Sequence, residues 1–164
     1  MSDVNLAKRS AEILNNCLYA NIATSRNDVP WNTPATALPD NELNFYWSSW
    51  RLAEHSRNIA ANSSIFMTFY DSTRARGTNN LRCLYLQCVA REVSDPEEAR
   101  KAFGLLYPGE SVELTNPLDE GVKRFYCAEP KQAWLNCLSE KELEPDTLKM
   151  RTEVPLDELR QALR

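Results

Sequence analysis

The chain holds a single histidine and only four glycines among its 164 residues. With His55 alone, a zinc site built from several imidazoles is excluded. A Ser-His-Asp hydrolase would have to use His55, and no G-x-S-x-G elbow accompanies it. The glycines are Gly77, Gly104, Gly109 and Gly121. No G-x-G-x-x-G or P-loop spacing is possible among them, so a nucleotide-like ligand cannot rest on a Rossmann or P-loop cradle. Positive charge is also short: 19 Lys and Arg stand against 23 Asp and Glu, for a net charge of −4 and a pI near 5.1. That is a poor match to nucleic acid, where a basic face supplies most of the affinity. No apolar run approaches the ~18 residues of a membrane span, and the opening "MSDVNLAKRSAEILNN" is too polar for a signal peptide. The five cysteines (Cys17, Cys83, Cys88, Cys127 and Cys137) form no C-x-x-C pair. Without an export signal they read as reduced, mostly buried thiols, and the expected location is the cytoplasm.

What is present is the balance of one globular domain spanning residues 1–164, with 43% apolar and 26% charged residues. Ser2 or Asp3 can cap a first helix carrying Ala7, Ala11, Leu14 and Leu18 as one apolar stripe. "LYANIATS" alternates Leu18, Ala20 and Ile22 and reads as a strand. "WNTPATAL" reads as a second strand, placed at an edge or bulged because Pro34 cannot donate to a ladder. "ELNFYWS" turns Leu43, Phe45 and Trp47 to one side. From Arg51 to Asn62 the period becomes helical, with Leu52, Ser56, Ile59 and Ala60 on a shared face. "SIFMTFYD" and "LRCLYLQCVAREV" are further strands. "DPEEARKAFGLLYPG" opens a helix with Asp95 as N-cap, Pro96 at the first position and Glu98 closing a capping box. "VKRFYCAE" and "AWLNCL" flank Pro130 as a broken strand pair, "LKMRTEVPL" is a last strand and "LDELRQAL" a terminal helix. Hairpin-length spacing favours an antiparallel barrel with appended helices over a parallel α/β sheet.

Chemistry concentrates in "FYWSSWRLAEHSRNIAANSS". Arg51, His55 and Arg57 crowd one short helix, beside Ser48, Ser49 and Ser56. A helix start offers free N–H groups and a positive dipole end, and hydroxyls with cations beside it make an anion pocket. A solvated helix whose arginines pair with nearby acids is the simpler alternative. The four tryptophans, Trp31, Trp47, Trp50 and Trp134, are core or interface anchors, or the wall of a slot for a flat heterocycle.

Taken in order, "ANIATSRNDVPWNTPATAL", "LNFYWSSWRLAEHSRNIAANSSIFMTFYDS", "LYLQCVAREVSDPEEA", "RFYCAEPKQAWLN" and "MRTEVPL" resemble the pyridoxamine 5'-phosphate oxidase-like family of FMN-binding split barrels, from about Tyr19 to Leu156. The resemblance implies a mainly β fold, a six-stranded antiparallel Greek-key split barrel with short flanking helices, forming a homodimer with FMN in clefts at the interface. It places Thr33, Pro34, Ala35 and Thr36 along the flavin ring, and Trp47, Ser48 and Ser49 near the ring and ribityl phosphate. His55 falls where a phosphate-contacting lysine is frequent, with Arg51, Ser56 and Arg57 beside it. Arg82 and Trp134 correspond to residues lining the cleft, Arg82 from the second subunit. The implied function is an FMN-dependent oxidoreductase on an unknown small substrate, with no metal and no catalytic side chain named. A non-catalytic flavin carrier or sensor, a binder of F420 or haem, or a barrel that has lost its ligand and serves as an interaction module are the alternatives. Oxidation of pyridoxamine phosphate itself is not expected. Where that activity's Arg-Leu-His-Asp-Arg segment would lie, this chain has "RTEVP", which keeps Arg151 and puts Glu153 and Pro155 in place of the histidine and final arginine.

Overall fold

The computed structural model describes residues 4–73, 82–110, 123–136 and 151–164. Period-two burial shapes its sheet. Helix α1 (Val4–Asn16) leads into β1 (Tyr19–Arg26) and β2 (Val29–Thr36), followed by β3 (Leu38–Pro39), β4 (Phe45–Trp50) and α2 (Glu54–Ala61). Then come β5 (Ser64–Tyr70), β6 (Cys83–Glu92), α3 (Pro96–Leu106), β7 (Lys123–Asn136), β8 (Arg151–Glu153) and α4 (Leu156–Leu163). Every strand pair is antiparallel, in the order β2-β1-β5-β6-β7-β4-β3, with β8 added to β7. β5, β6 and β7 follow one another while β4 lies beside β7, which is a Greek-key arrangement. The expected six strands are eight, because β3 and β8 are edge fragments of two and three residues.

Alternation fills the barrel. Ile22, Phe45, Trp47, Met67, Leu84 and Leu86 are all 0% exposed, and each comes from a position that a period-two pattern turns inward. Leu43, read as part of the same strand, lies in the turn before β4 with φ 68, and is equally buried. β2 is the edge strand that Pro34 requires: it pairs only with β1. The Asn27-Asp28 turn between them has both residues at positive φ, 52 and 60, as a tight two-residue hairpin demands.

Four local expectations differ from the fold. Leu18 lies beyond the end of α1 and is 54% exposed, leaving Ala7, Ala11 and Leu14 as the buried stripe. α2 begins at Glu54 rather than Arg51, so Leu52 sits in the preceding turn, exposed, and the buried face is His55, Ser56, Asn58 and Ile59, with Ala60 outside. Pro130 does not break a strand pair. β7 runs through it, and the register with β6 slips at Gln87/Cys88, so Cys88 faces Pro130 while Gln87 faces Gln132; the bulge accommodates a residue without an N–H. Asp95 caps α3 by accepting from the Glu98 N–H at 3.0 Å. The box is half made, because the Glu98 carboxylate turns instead to Arg91 in two contacts of 2.8 Å and accepts from the Tyr46 hydroxyl at 3.1 Å. Asp95→Ala is expected to cost about 1 kcal/mol, read as a lowered midpoint in urea with an unchanged slope. The cap candidates Ser2 and Asp3, the two glycines Gly77 and Gly121, and Cys137 lie outside the described residues, as do residues 74–81 between β5 and β6.

Candidate functional site

The two ends of the sheet path meet without a ladder. β4 pairs with β7 along Phe45–Trp50, but with β3 only at Phe45 and Tyr46. Its other edge beyond Tyr46, and the outer edge of β2, have no strand partner among the described residues. Backbone N–H and C=O groups on two facing edges are therefore open to a ligand. Between them lies a cavity of about 320 Å³, walled by Thr33, Pro34, Ala35 and Thr36 of β2, by Ser48 and Ser49 of β4, by His55 of α2, and by Leu106 and Tyr107 where α3 ends.

β4 twists its two serines to opposite sides. Ser49 shares the inner face with Trp47, and His55 reaches it, with Nε2 2.7 Å from Oγ. Ser48 shares the outer face with Tyr46 under α3, and its Oγ lies 2.9 Å from the Tyr107 hydroxyl. His55 is 6% exposed, and burial alone pushes its pKa below the ordinary imidazole value, so the ring is neutral at neutral pH. Ala53 stands at the N-cap of α2 and has no side chain to cap it, which leaves the first-turn N–H groups without a side-chain acceptor. Hydroxyls, a neutral imidazole, strand edges and an uncapped helix start make a donor-rich slot with no Lys, Arg, Asp or Glu in its lining. Such a slot can hold a planar polar ring against its edges and an anionic group at its helix end.

The remaining candidates are placed elsewhere. Trp47 is a core residue stacked on Tyr126 at 5.6 Å between centroids. The Ser56 hydroxyl donates to the Trp50 carbonyl at 2.9 Å and closes the turn before α2. Arg57 is exposed and lies 3.9 Å from Glu54, whose carboxylate also pairs with Arg26 at 2.7 Å; Arg51 is exposed in the turn. Arg82 lies just before β6 and pairs with Glu12 at 3.5 Å. Trp134 lies on the outer face of the sheet, stacked on Phe66 at 6.2 Å and paired in register with Tyr85. Of the other two tryptophans, Trp31 is 47% exposed and donates to Thr33, and Trp50 is 55% exposed beneath the Lys123 ammonium. Cys83, Cys88 and Cys127 are buried thiols, Cys17 is half-buried, and no metal-ligating cluster occurs among the described residues.

Leu106 and Tyr107 were not found by reading the sequence. The "PG" stop marks where α3 ends, but nothing local says that this end leans on β4. What holds it there is long-range: Glu98 ties α3 to β6 and β4, and Phe103 packs on Tyr107 at 5.1 Å and on Phe125 at 6.5 Å.

The neutral, buried state of His55 gives a pH prediction. A phosphate at Ser49 and His55 favours the charged ring and raises its pKa from the depressed value of the free protein. Binding then takes up a proton, and affinity for a phosphate-bearing ligand falls as pH rises from 6 to 8. A matched ligand lacking the phosphate should show a flat profile. Titrations of FMN and riboflavin across that range check this, and parallel curves would remove His55 from the phosphate.

No protein-family model matches the sequence, and no curated protein matches it. Solved structures do. A Listeria innocua protein described as "Putative Pyridoxamine 5'-phosphate oxidase" superposes with a TM-score of 0.61 at 16% identity, over 81% of this chain and 98% of that one. A haem-binding protein from Mycobacterium smegmatis gives 0.67 at 13% identity, over 98% of this chain and 61% of that one. An FAD-binding protein from Mesorhizobium loti gives 0.57 at 14% identity, over 76% of this chain and 89% of that one. Identities this low carry likeness of fold. What the chain shares with these three structures is the fold, a mainly β split barrel closed by an antiparallel sheet.

Proposed function

We propose that the chain is an FMN-binding flavoprotein that works as a homodimer and acts as a flavin-dependent oxidoreductase on a small molecule. The observation that carries this is the slot between the free edges of β2 and β4, which gathers Thr33, Pro34, Ala35, Thr36, Ser48, Ser49 and His55 from three separated stretches. Its residues fit the group. The β2 edge offers backbone donors and acceptors to the pyrimidine side of an isoalloxazine ring, and Pro34 and Ala35 give it an apolar face. Ser49, His55 and the uncapped start of α2 offer donors to a phosphate. Bound there, FMN would supply hydride or single-electron transfer, chemistry that needs no protein nucleophile. The chain's residues bind and orient the group and keep water from it.

A volume of about 320 Å³ is at the lower end for ligand sites, as suits a cleft that a second chain completes. The outer face of the sheet supplies the surface for that chain. Phe66, Tyr85 and Trp134 share it, Tyr70 and Val89 are 43% and 42% exposed on it, and Arg151 lies 3.8 Å over the Tyr85 ring. Leaving such a face to water is costly. No helix among the described residues is long and apolar enough to cross a membrane, and a cytoplasmic location completes the reading.

The test is a thermal-shift screen of FMN, FAD, F420, haem and pyridoxal phosphate, run beside size-exclusion chromatography. FMN is expected to raise the midpoint most, and the chain to elute as a dimer. A larger shift with haem or F420 would move the protein to another cofactor on the same fold. FMN binding without turnover on NADH or NADPH would make it a carrier or sensor.

A further inference from the structure

A second cavity, of about 290 Å³, lies where α1 runs into β1 and where β5 ends. It shares only Pro34 with the lining of the slot between β2 and β4. Leu18, Tyr19, Pro34 and Tyr70 give it apolar and aromatic walls. Tyr19 and Tyr70 each stand two residues along from the paired Asn21 and Thr68, so both rings sit on the outer face of the sheet. They are 61% and 43% exposed, and Leu18 beside them is 54% exposed, an apolar surface that is costly to leave to water. Asp71 alone among the lining residues carries a formal charge. Its place is fixed: its N–H donates to the Arg82 carbonyl at 3.4 Å, and its Oδ1 accepts from the Thr73 N–H at 2.9 Å and the Thr73 hydroxyl at 2.6 Å. The side chains of Arg82 and Glu12, 3.5 Å from one another, are not part of the lining. The Asp71 charge is felt within the cavity. Cys17 also lines it, and its thiol is pushed up in pKa by burial first and by the Asp71 carboxylate second.

We propose that this cavity is a binding site for an organic ammonium ion with an apolar body, whose charge meets Asp71 and lies against the rings of Tyr19 and Tyr70. A cation gains from the carboxylate and from the faces of both rings, and both attractions strengthen as water is displaced. Leu18 and Pro34 cover the apolar body. An anion of the same shape would face Asp71 with no cation in the lining to meet it, and would lose solvation without a partner. The site stands apart from the flavin reading. Tyr70 lies four residues beyond Phe66 on β5, past the Phe66, Tyr85 and Trp134 cluster.

The test uses Cys17 as the reporter, because it lines the cavity half-buried while Cys83, Cys88 and Cys127 are buried. Peptide mass mapping follows its modification by the aminoethyl and sulfonatoethyl methanethiosulfonates, one cationic and one anionic, each rate taken relative to that reagent's rate with 2-mercaptoethanol. The cationic reagent is expected to react at least about tenfold faster, and Asp71→Asn to bring the ratio below about threefold. In parallel, phenethylammonium should protect Cys17 saturably from the neutral methyl methanethiosulfonate, and 3-phenylpropanoate at the same concentrations should not. Tyr19→Leu should raise the half-protecting concentration about two- to fivefold, the loss of one exposed cation–ring contact. Equal rates for the two charged reagents, equal protection by the two phenyl probes, or a charge preference that survives in Asp71→Asn overturns the proposal. Should Asp71→Asn lower the melting temperature, Tyr19→Leu decides, since its ring lies outside the core, and unchanged protection there overturns the proposal as well. None of these readouts involves flavin.

Discussion

Trp47→Ala is expected to remove about 3–5 kcal/mol of stability, a large share of what a domain this size holds. The indole is 0% exposed, fills the barrel beside Phe45 and stacks on Tyr126. Its neighbours are strand residues fixed by ladders on both sides of β7, so they cannot collapse into the space. Trp47→Phe should cost far less. It keeps most of the ring and removes an Nε1–H that is buried with no hydrogen-bond partner among the described residues. Chemical denaturation of the two variants checks this. Similar losses in both would mean that the indole is held by something other than packing.

His55→Ala is expected to weaken FMN by about 1.5–3 kcal/mol, roughly ten- to a hundredfold in affinity, the value of one charge-assisted hydrogen bond. Riboflavin, which lacks the phosphate, should lose little. The geometry behind this is the 2.7 Å contact from Nε2 to Ser49 and the position of the ring at the uncapped start of α2. Arg51 and Arg57 are exposed, and Arg57 is drawn toward Glu54, so they cannot replace a lost imidazole from where they stand. Fluorescence titration of the variant with both flavins decides it. Equal affinity in variant and wild type would return His55 to a structural role beneath α2.

The barrel was legible in the sequence because most of its strands obey period two. Phe45 and Trp47 point inward as their alternation with Asn44, Tyr46 and Ser48 requires, and Pro34 announced an edge strand. Tyr46 shows where the pattern misleads. It sits on the outward phase and is still only 2% exposed, because α3 covers that face. The site was legible in part for the same reason. Thr33 to Thr36, Ser48, Ser49 and His55 come from segments with recognisable order, and the cavity brings them together. Arg51 and Arg57 looked like phosphate ligands from their crowding with His55, but the helix starts three residues later than the crowding suggests, and the turn leaves them outside. Tyr107 was invisible because its place depends on Glu98, Arg91 and Phe125, side chains scattered across three elements. Arg82 and Trp134 do not reach the cavity of their own chain. Both await the partner chain that the proposed dimer would bring.

The central claim is that the slot between β2 and β4 holds FMN by its phosphate. Equilibrium titration of the purified, flavin-free chain with FMN, with riboflavin as the reference, tests it most directly. The account predicts saturable binding at one FMN per chain, with micromolar or tighter affinity and riboflavin at least tenfold weaker. FMN that fails to saturate, or that binds no better than riboflavin, would contradict it.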